Sequence, residues 1–443
     1  MRDILLAHNY HWQGSAFERG IKRSLLDKIM KALEAPHIIA ITGARRSGKS
    51  YIFRQLIGHL LDAKVPAGNI IQANFEDPFF ISQRDNHSLL DQLFSEYLNL
   101  KNPTGMVYLF FDEIQNVPNW QFWIRTAYDS NKNIKLFITG SNSELLSTDL
   151  ASHLTGRVIA FENFPLSFTE YFNGLDAAGL PEIKESDNPE LLFEQLYPYK
   201  EKLLHYIELS FEKGLFPEVT YLADRELVKE ILSQYFQNVV FRDIIPRFAI
   251  RNTKVIEQLA YYLSTNFTSM YSYRRLADAV GTNENTAKEY VSYFEKAYLF
   301  FSIDYYEYSL RKQFKRNRKI YALDCGLRHA TASSFSPDRG KNAENTVFQM
   351  LRRTTAKIYY WYADGGREVD FIIKAQNQPV AINVSYGEEI PERELESFEA
   401  FLKVATPQRS ILVTRNKFEK KTISQYTIEL LPLWVFVFLK LPQ

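Results

Sequence analysis

Cysteine is almost absent from this chain: Cys325 stands alone among 443 residues. A lone thiol excludes an intramolecular disulfide and any multi-cysteine zinc cluster, and it fits a reducing compartment. Long apolar runs are missing too. The longest, Leu430 to Leu439, contains Pro432 and falls short of the roughly 20 residues a membrane helix needs. It reads as a closing core strand. The apolar stretch that begins at Ile4 stops by His8, too early for a signal peptide. The expectation is a cytoplasmic protein that does not engage a membrane. Excess charge of either sign is also lacking. With a net charge of +1, contact with nucleic acid has to come from local patches rather than a global basic field. No internal repeat or low-complexity segment is present, and the length implies two to four domains.

What the chain does have is Gly43-Ala44-Arg45-Arg46-Ser47-Gly48-Lys49-Ser50, a complete G-x-x-x-x-G-K-[ST] phosphate loop. The buried-strand pattern Ile38–Ile41 precedes it. A helical pattern that begins at Tyr51 follows, the context in which such a loop cradles phosphates with backbone N–H groups and a helix N-terminus. Gly43 to Tyr51 are therefore the nucleotide-binding candidates. Lys49 is expected to reach the β- and γ-phosphates, and the Ser50 hydroxyl to ligate Mg²⁺. Arg45 and Arg46 divide between phosphate contact and outward packing, in an order the sequence leaves open.

Val107–Phe111 forms an apolar strand pattern that ends in Asp112-Glu113. Asp112 suits the metal and Glu113 suits a general base that orients and deprotonates water. The next strand, Leu136–Thr139, closes in polar groups. Thr139, Ser141 and Asn142 compete for a catalytic role that senses the γ-phosphate, and Ser141 or Asn142 serves equally as a helix N-cap. Arg157, in Leu154-Thr155-Gly156-Arg157, reads either as an arginine finger at a subunit boundary or as a structural salt bridge.

Strand and helix patterns alternate through the first 170 residues, which implies a parallel sheet covered on both faces. Residues 171–253 are helical in pattern, a lid over the nucleotide domain. Residues 254–330 read as helix, Gly281 turn, helix and β-ribbon, a winged helix-turn-helix. Residues 331–443 read as a small α/β domain. The ribbon segment 311–319 carries six basic residues and no acid. Arg311, Lys312, Lys315, Arg316 and Arg318 are candidates for phosphate contact, with Phe314 stacking or wedging. A solvated hairpin is the plain alternative. Glu344 lies on the same helical stripe as Val347, Phe348 and Leu351, so it requires a partner or a metal.

Together the phosphate loop, Phe111–Trp120, Ile138–Asn142 and Leu154–Arg157 resemble a group of prokaryotic AAA+ ATPases of archaeal type, near the origin-recognition clade. The resemblance continues through Gly214–Glu218, Phe241–Ile245 and Glu344-Asn345 to Glu368–Phe371. It implies ATP and Mg²⁺ as cofactors, an intersubunit finger in a homo-oligomer, and a C-terminal domain with a restriction-endonuclease-like core. In such nucleases a helix Glu, a strand Asp and a following Glu-x-Lys bind Mg²⁺ and stabilise the displaced phosphate. Glu344, Glu368 and Asp370 fit the acids, but Asn383 and Ser385 replace the last carboxylate and the lysine. The expectation is a non-catalytic nuclease-like site.

The fold expected is multidomain α/β: a P-loop AAA+ core, a helical lid, a winged helix and a nuclease-like domain. The function expected is Mg²⁺-dependent ATP hydrolysis coupled, in a homo-oligomer, to binding or remodelling of DNA, sequence-independent or branched. The alternatives are a nucleotide-controlled scaffold for a protein partner and, as a minor one, an ATP-driven nuclease.

Overall fold

The computed structural model describes residues 1–443 apart from 16–17, 131–132, 144–153, 176–178, 221, 333–337, 364, 376–377, 424–425 and 443. They form two compact units, Met1–Pro165 and Leu166–Gln443. The helix that Ser141 or Asn142 was expected to cap falls on 144–153, outside the described residues.

In the first unit five strands, β1 (Ile38–Gly43), β2 (Ile70–Asn74), β3 (Val107–Asp112), β4 (Ile134–Gly140) and β5 (Val158–Asn163), form a parallel sheet ordered β2-β3-β4-β1-β5. Every residue of β1 is buried, as a central parallel strand requires. Its side chains alternate between two cores. Ile39 and Ile41 pack with Ile52, Phe53, Leu56 and Ile57 of helix Lys49–Asp62. Ile38 and Ala40 join Leu89, Leu93 and Ile124 on the opposite face. The β2 edge is closed by the N-terminal segment. Asn9 bonds both the N–H and the C=O of Gln72, at 2.6 and 2.8 Å, and Trp12 donates to the Ile70 carbonyl at 2.8 Å. An edge so covered cannot template a further strand.

The second unit opens with helices, among them Lys200–Lys213 and Arg225–Asn238, and the latter runs into a π turn, Val239–Ile244. Helices Tyr273–Val280 and Glu284–Lys296 flank the left-handed Gly281. A nine-stranded sheet follows. Its strands are β6 (Met270–Tyr271), β7 (Phe300–Tyr305), β8 (Arg318–Ala322), β9 (Ile358–Ala363), β10 (Arg367–Ala375), β11 (Gln378–Ser385), β12 (Arg409–Thr414), β13 (Glu419–Ile423) and β14 (Tyr426–Pro432). They are ordered β13-β14-β12-β11-β10-β9-β7-β8-β6. The β7–β8 hairpin expected as a wing is thus continuous with the sheet of the C-terminal stretch, through parallel pairing of Asp304 with Tyr359. The expected closing strand ends at Pro432, and Leu433–Phe436 turns into a short buried helix.

The Gly214–Glu218 motif has a packing origin. Asp324 caps helix Cys325–Thr331 and also accepts from the Leu215 N–H at 2.8 Å. A Cβ at Gly214, whose φ is +70°, would lie 2.0 Å from Asp324 Oδ1. Only glycine fits there.

Candidate nucleotide-binding site

The phosphate loop leaves the C-terminal end of β1, where the chain order of the sheet reverses and open α/β sheets place their ligands. Two glycines shape it. A Cβ at Gly43 (φ +147°) would meet the Asn163 carbonyl at 2.0 Å, and Gly48 (φ +94°) precedes helix Lys49–Asp62. Three residues that sequence reasoning missed hold this site. Asn163 Nδ2 donates to both the carbonyl and the hydroxyl of Ser47 at 2.9 Å, and Arg23 donates to the same carbonyl at 2.7 Å. Gln115 Nε2 donates to Glu113 at 2.5 Å. Asn163 and Arg23 lie 116 and 24 residues from Ser47, so no local pattern announces them.

Lys49 is buried and donates to the Gly43 and Ala44 carbonyls at 3.2 and 3.1 Å, with Glu113 at 3.2 Å. Ser50 Oγ donates to Asp112 at 2.6 Å, and the Thr139 hydroxyl donates to the other Asp112 oxygen. Thr139 Oγ1 in turn accepts the Glu113 N–H at 2.9 Å, which fixes Glu113 in a left-handed backbone (φ +54°). A non-glycine residue held there by its surroundings is typical of functional positions. The Ser141 N–H donates to Glu113 at 3.1 Å. Of the three competing residues, Thr139 braces both acids and Ser141 orients Glu113; Asn142 is buried beside them in sequence. Arg45 turns inward to Glu76, 2.7 Å away, whereas Arg46 is exposed. The Tyr51 ring is partly exposed and lies under the Arg54 guanidinium at 4.6 Å.

The two acids diverge electrostatically. Burial and the neighbouring Glu113 charge push Asp112 above the usual carboxylate range. Burial acts on Glu113 in the same direction, but Lys49, Gln115 and Arg45 together carry it below that range. Glu113 is therefore held as the anion a base must be. The Ser50 hydroxyl and the Asp112 carboxylate are adjacent hard oxygen donors. Mg²⁺ takes one or two protein ligands of that type and fills its shell with water and phosphate oxygens. The pair fits that ion, although no group of three or more His, Cys, Asp or Glu among the described residues is arranged to hold a metal.

Arg157 lies just before β5, where its carbonyl accepts from Ile38 N, at the end of β1 opposite the phosphate loop. Its guanidinium grips Asp129 with both arms, at 2.8 and 3.1 Å. It is remote from the phosphate loop of its own chain.

The second unit brings Glu344, Glu368 and Asp370 together, and it supplies the cation that was expected to be missing. Lys319, on β8, is buried with its ammonium 2.7, 2.6 and 2.9 Å from these three carboxylates. Sequence placed Lys319 in the basic ribbon; strand alternation turns it inward. Tyr321 donates to Glu344 at 2.8 Å, and Val384 N donates to Asp370 at 2.9 Å. Asn383 accepts from the Asp370 N–H and donates to Glu394, both at 2.8 Å. Ser385 is buried at the end of β11. Burial pushes Glu344 up to about 8, against the pull of Lys319.

The ribbon is also revised at Arg318, which pairs with Asp304 at 2.9 Å and donates to the Tyr273 hydroxyl at 2.9 Å. It does not stand with the exposed cations. Arg311, Lys312, Phe314, Lys315 and Arg316 are exposed on and after the helical turn Leu310–Gln313.

A glycine-shaped phosphate loop, two braced acids and a parallel sheet define a P-loop nucleoside triphosphatase, and residues 35–172 match the AAA domain family. Residues 204–338 and 339–436 match two domains of unknown function, DUF8612 and DUF4143. The chain belongs to the family of the uncharacterized protein MJ1544 of Methanocaldococcus jannaschii, with 33% identity over 414 residues that cover 90% of this chain and 87% of that one. It is 28% identical to an uncharacterized protein of Haemophilus influenzae, over 91% of this chain and 95% of that one. Among solved structures it is similar to the Walker-type ATPase paby2304 of Pyrococcus abyssi, with a TM-score of 0.43 and 14% identity, over 71% of this chain and 97% of that one. Among the described residues no helix is long and apolar enough to cross a membrane.

Proposed function

We propose that this protein is a Mg²⁺-dependent ATPase that couples hydrolysis to nucleic-acid binding as a cytoplasmic homo-oligomer. The observation that carries the reading is the division of labour at the phosphate loop. Lys49 and the loop amides serve the phosphates, while Glu113, held ionised beside Ser141 and Gln115, accepts a proton from water. Ser50 and Asp112 would hold Mg²⁺, which would supply charge neutralisation at the phosphates. Because Arg157 is remote from its own loop, its catalytic role requires a neighbouring subunit. In this reading the lid, winged helix and nuclease-like domain span residues 171–253, 254–330 and 331–443. The exposed cations near Arg311 support contact with phosphates of DNA without base reading.

Measurement of ATP hydrolysis with and without Mg²⁺, and with single-stranded, double-stranded and branched DNA, tests this. We expect turnover that stops on chelation and rises with DNA, steeply dependent on salt. Turnover indifferent to every DNA, with a protein retained on the ATP-bound form, would favour the scaffold reading. The Arg157→Ala variant should bind ATP normally yet hydrolyse it about 10³-fold more slowly. Mixing it with Lys49→Ala should recover part of the rate; no recovery in a mixed oligomer rules out a shared site.

A further inference from the structure

We propose that the segment Tyr308 to Arg316 is a platform for single-stranded nucleic acid. This rests on the nucleic-acid reading above and narrows its ligand. Tyr308, Leu310 and Phe314 are 75, 64 and 69% exposed, three large apolar side chains within seven residues. Side chains of this kind normally contribute to a core, and their clustering on a surface marks a contact site. Cations are interspersed with them. Arg311, Lys312 and Lys315 are exposed and form no ion pair with another described residue. The nearest acid in sequence, Glu307, is turned back to accept the N–H groups of Tyr308 and Ser309 at 3.0 and 3.4 Å.

The platform is fastened to the end of β7 rather than loose. Gln313 is buried and donates to the Tyr305 carbonyl at 3.0 Å, and the Arg316 guanidinium lies over the Tyr305 ring at 5.0 Å. Tyr306 meets Tyr308 edge to face, with ring centroids 5.7 Å apart and hydroxyls 3.3 Å apart. Such anchoring lowers the ordering cost of binding.

Charge complementarity selects a polyanion, and the aromatic component selects its form. An exposed ring gains most from an unstacked base face, which a single strand offers and an intact duplex keeps inside its stack. Cations spaced between rings then follow the backbone phosphates. Arg318 and Lys319 take no part, since their charges are already spent on Asp304 and on the buried acids.

The test is fluorescence anisotropy of the full-length protein with labelled oligothymidylate of about 20 nucleotides and a duplex of equal length. The single strand should bind more tightly. Tyr308→Ala with Phe314→Ala should weaken it about 30-fold or more with the salt slope unchanged. Arg311→Ser, Lys312→Ser and Lys315→Ser together should flatten the slope by about two. ATP hydrolysis without nucleic acid and thermal melting should remain as in the parent and confirm folding. A duplex bound as tightly as the single strand overturns this inference and leaves the broader nucleic-acid reading in place. Binding of neither, with ATP still hydrolysed, removes both. Loss of self-association in the aromatic variant, with oligonucleotide affinity unchanged, assigns the platform to a protein interface and also overturns the inference.

Discussion

Lys49 and Lys319 are both buried ammonium groups facing carboxylates, one in each unit, and they use their charge in opposite ways. Lys49 contacts two backbone carbonyls and one acid, beside a glycine-shaped loop and a helix N-terminus. Its weak carbonyl partners are readily exchanged for phosphate oxygens, and the surrounding amides favour an anion. Lys319 is held by three acids at once. It compensates charges that burial would otherwise make very costly. A buried lysine amid acids is therefore not itself a mark of catalysis. What distinguishes the two is whether the lysine's partners can be replaced by substrate.

The largest expected contrast is in turnover. Lys49→Ala should abolish ATP binding measured with a fluorescent analogue, and Glu113→Gln should bind normally while losing about 10²- to 10⁴-fold in phosphate release. Near-parental release by Glu113→Gln would move the base elsewhere. For the second cluster we expect no cleavage of linear, nicked or branched DNA with Mg²⁺ or Mn²⁺, with or without ATP. Cleavage abolished by Asp370→Ala would make Lys319 the catalytic cation and erase the contrast.

Stability should invert the order. Lys319→Met leaves three acids without their cation and should cost about 3–5 kcal/mol in urea unfolding of the second unit, with nucleotide affinity retained. An unchanged midpoint would show that the acids are satisfied without it.

A pH series sharpens this further. Glu344 is raised from 4.5 to about 8 on folding, so its stabilising contribution is complete below pH 4.5 and is lost as pH rises towards 8. Glu344→Gln should flatten that decline in stability across pH 4.5 to 8. A decline of the same size in the variant would place the titration on another group.

The smallest effect concerns support for the loop. Asn163→Ala removes two hydrogen bonds to Ser47 and should weaken ATP affinity by about 1–3 kcal/mol while sparing the rate of the bound state. Equal loss from both would mean that Asn163 acts on the reacting groups.

Much of the scaffold was legible in the residues. Continuous apolar runs marked β1, β3 and β4, and the polar breaks after them marked where these strands deliver Lys49, Asp112 and Thr139. β13 was not legible, because Glu419-Lys420-Lys421-Thr422-Ile423 is a charged edge strand with little apolar alternation. The ribbon was read as uniformly basic, yet consecutive strand residues point to opposite faces. That geometry sends Arg318 to Asp304 and Lys319 to the acids, while the turn before them keeps its charges in solvent.

The sequence by itself determined the phosphate loop, the acid pair and the alternation that makes a parallel sheet, because each depends on residues near one another in the chain. Tertiary structure alone decided that Asn163 and Arg23 hold Ser47, that Arg157 is remote from its own loop, and that Lys319 answers Glu344, Glu368 and Asp370. Those pairings span from 24 to 119 residues. A local pattern carries no information about which distant strand will become a neighbour; sheet order and register supply it.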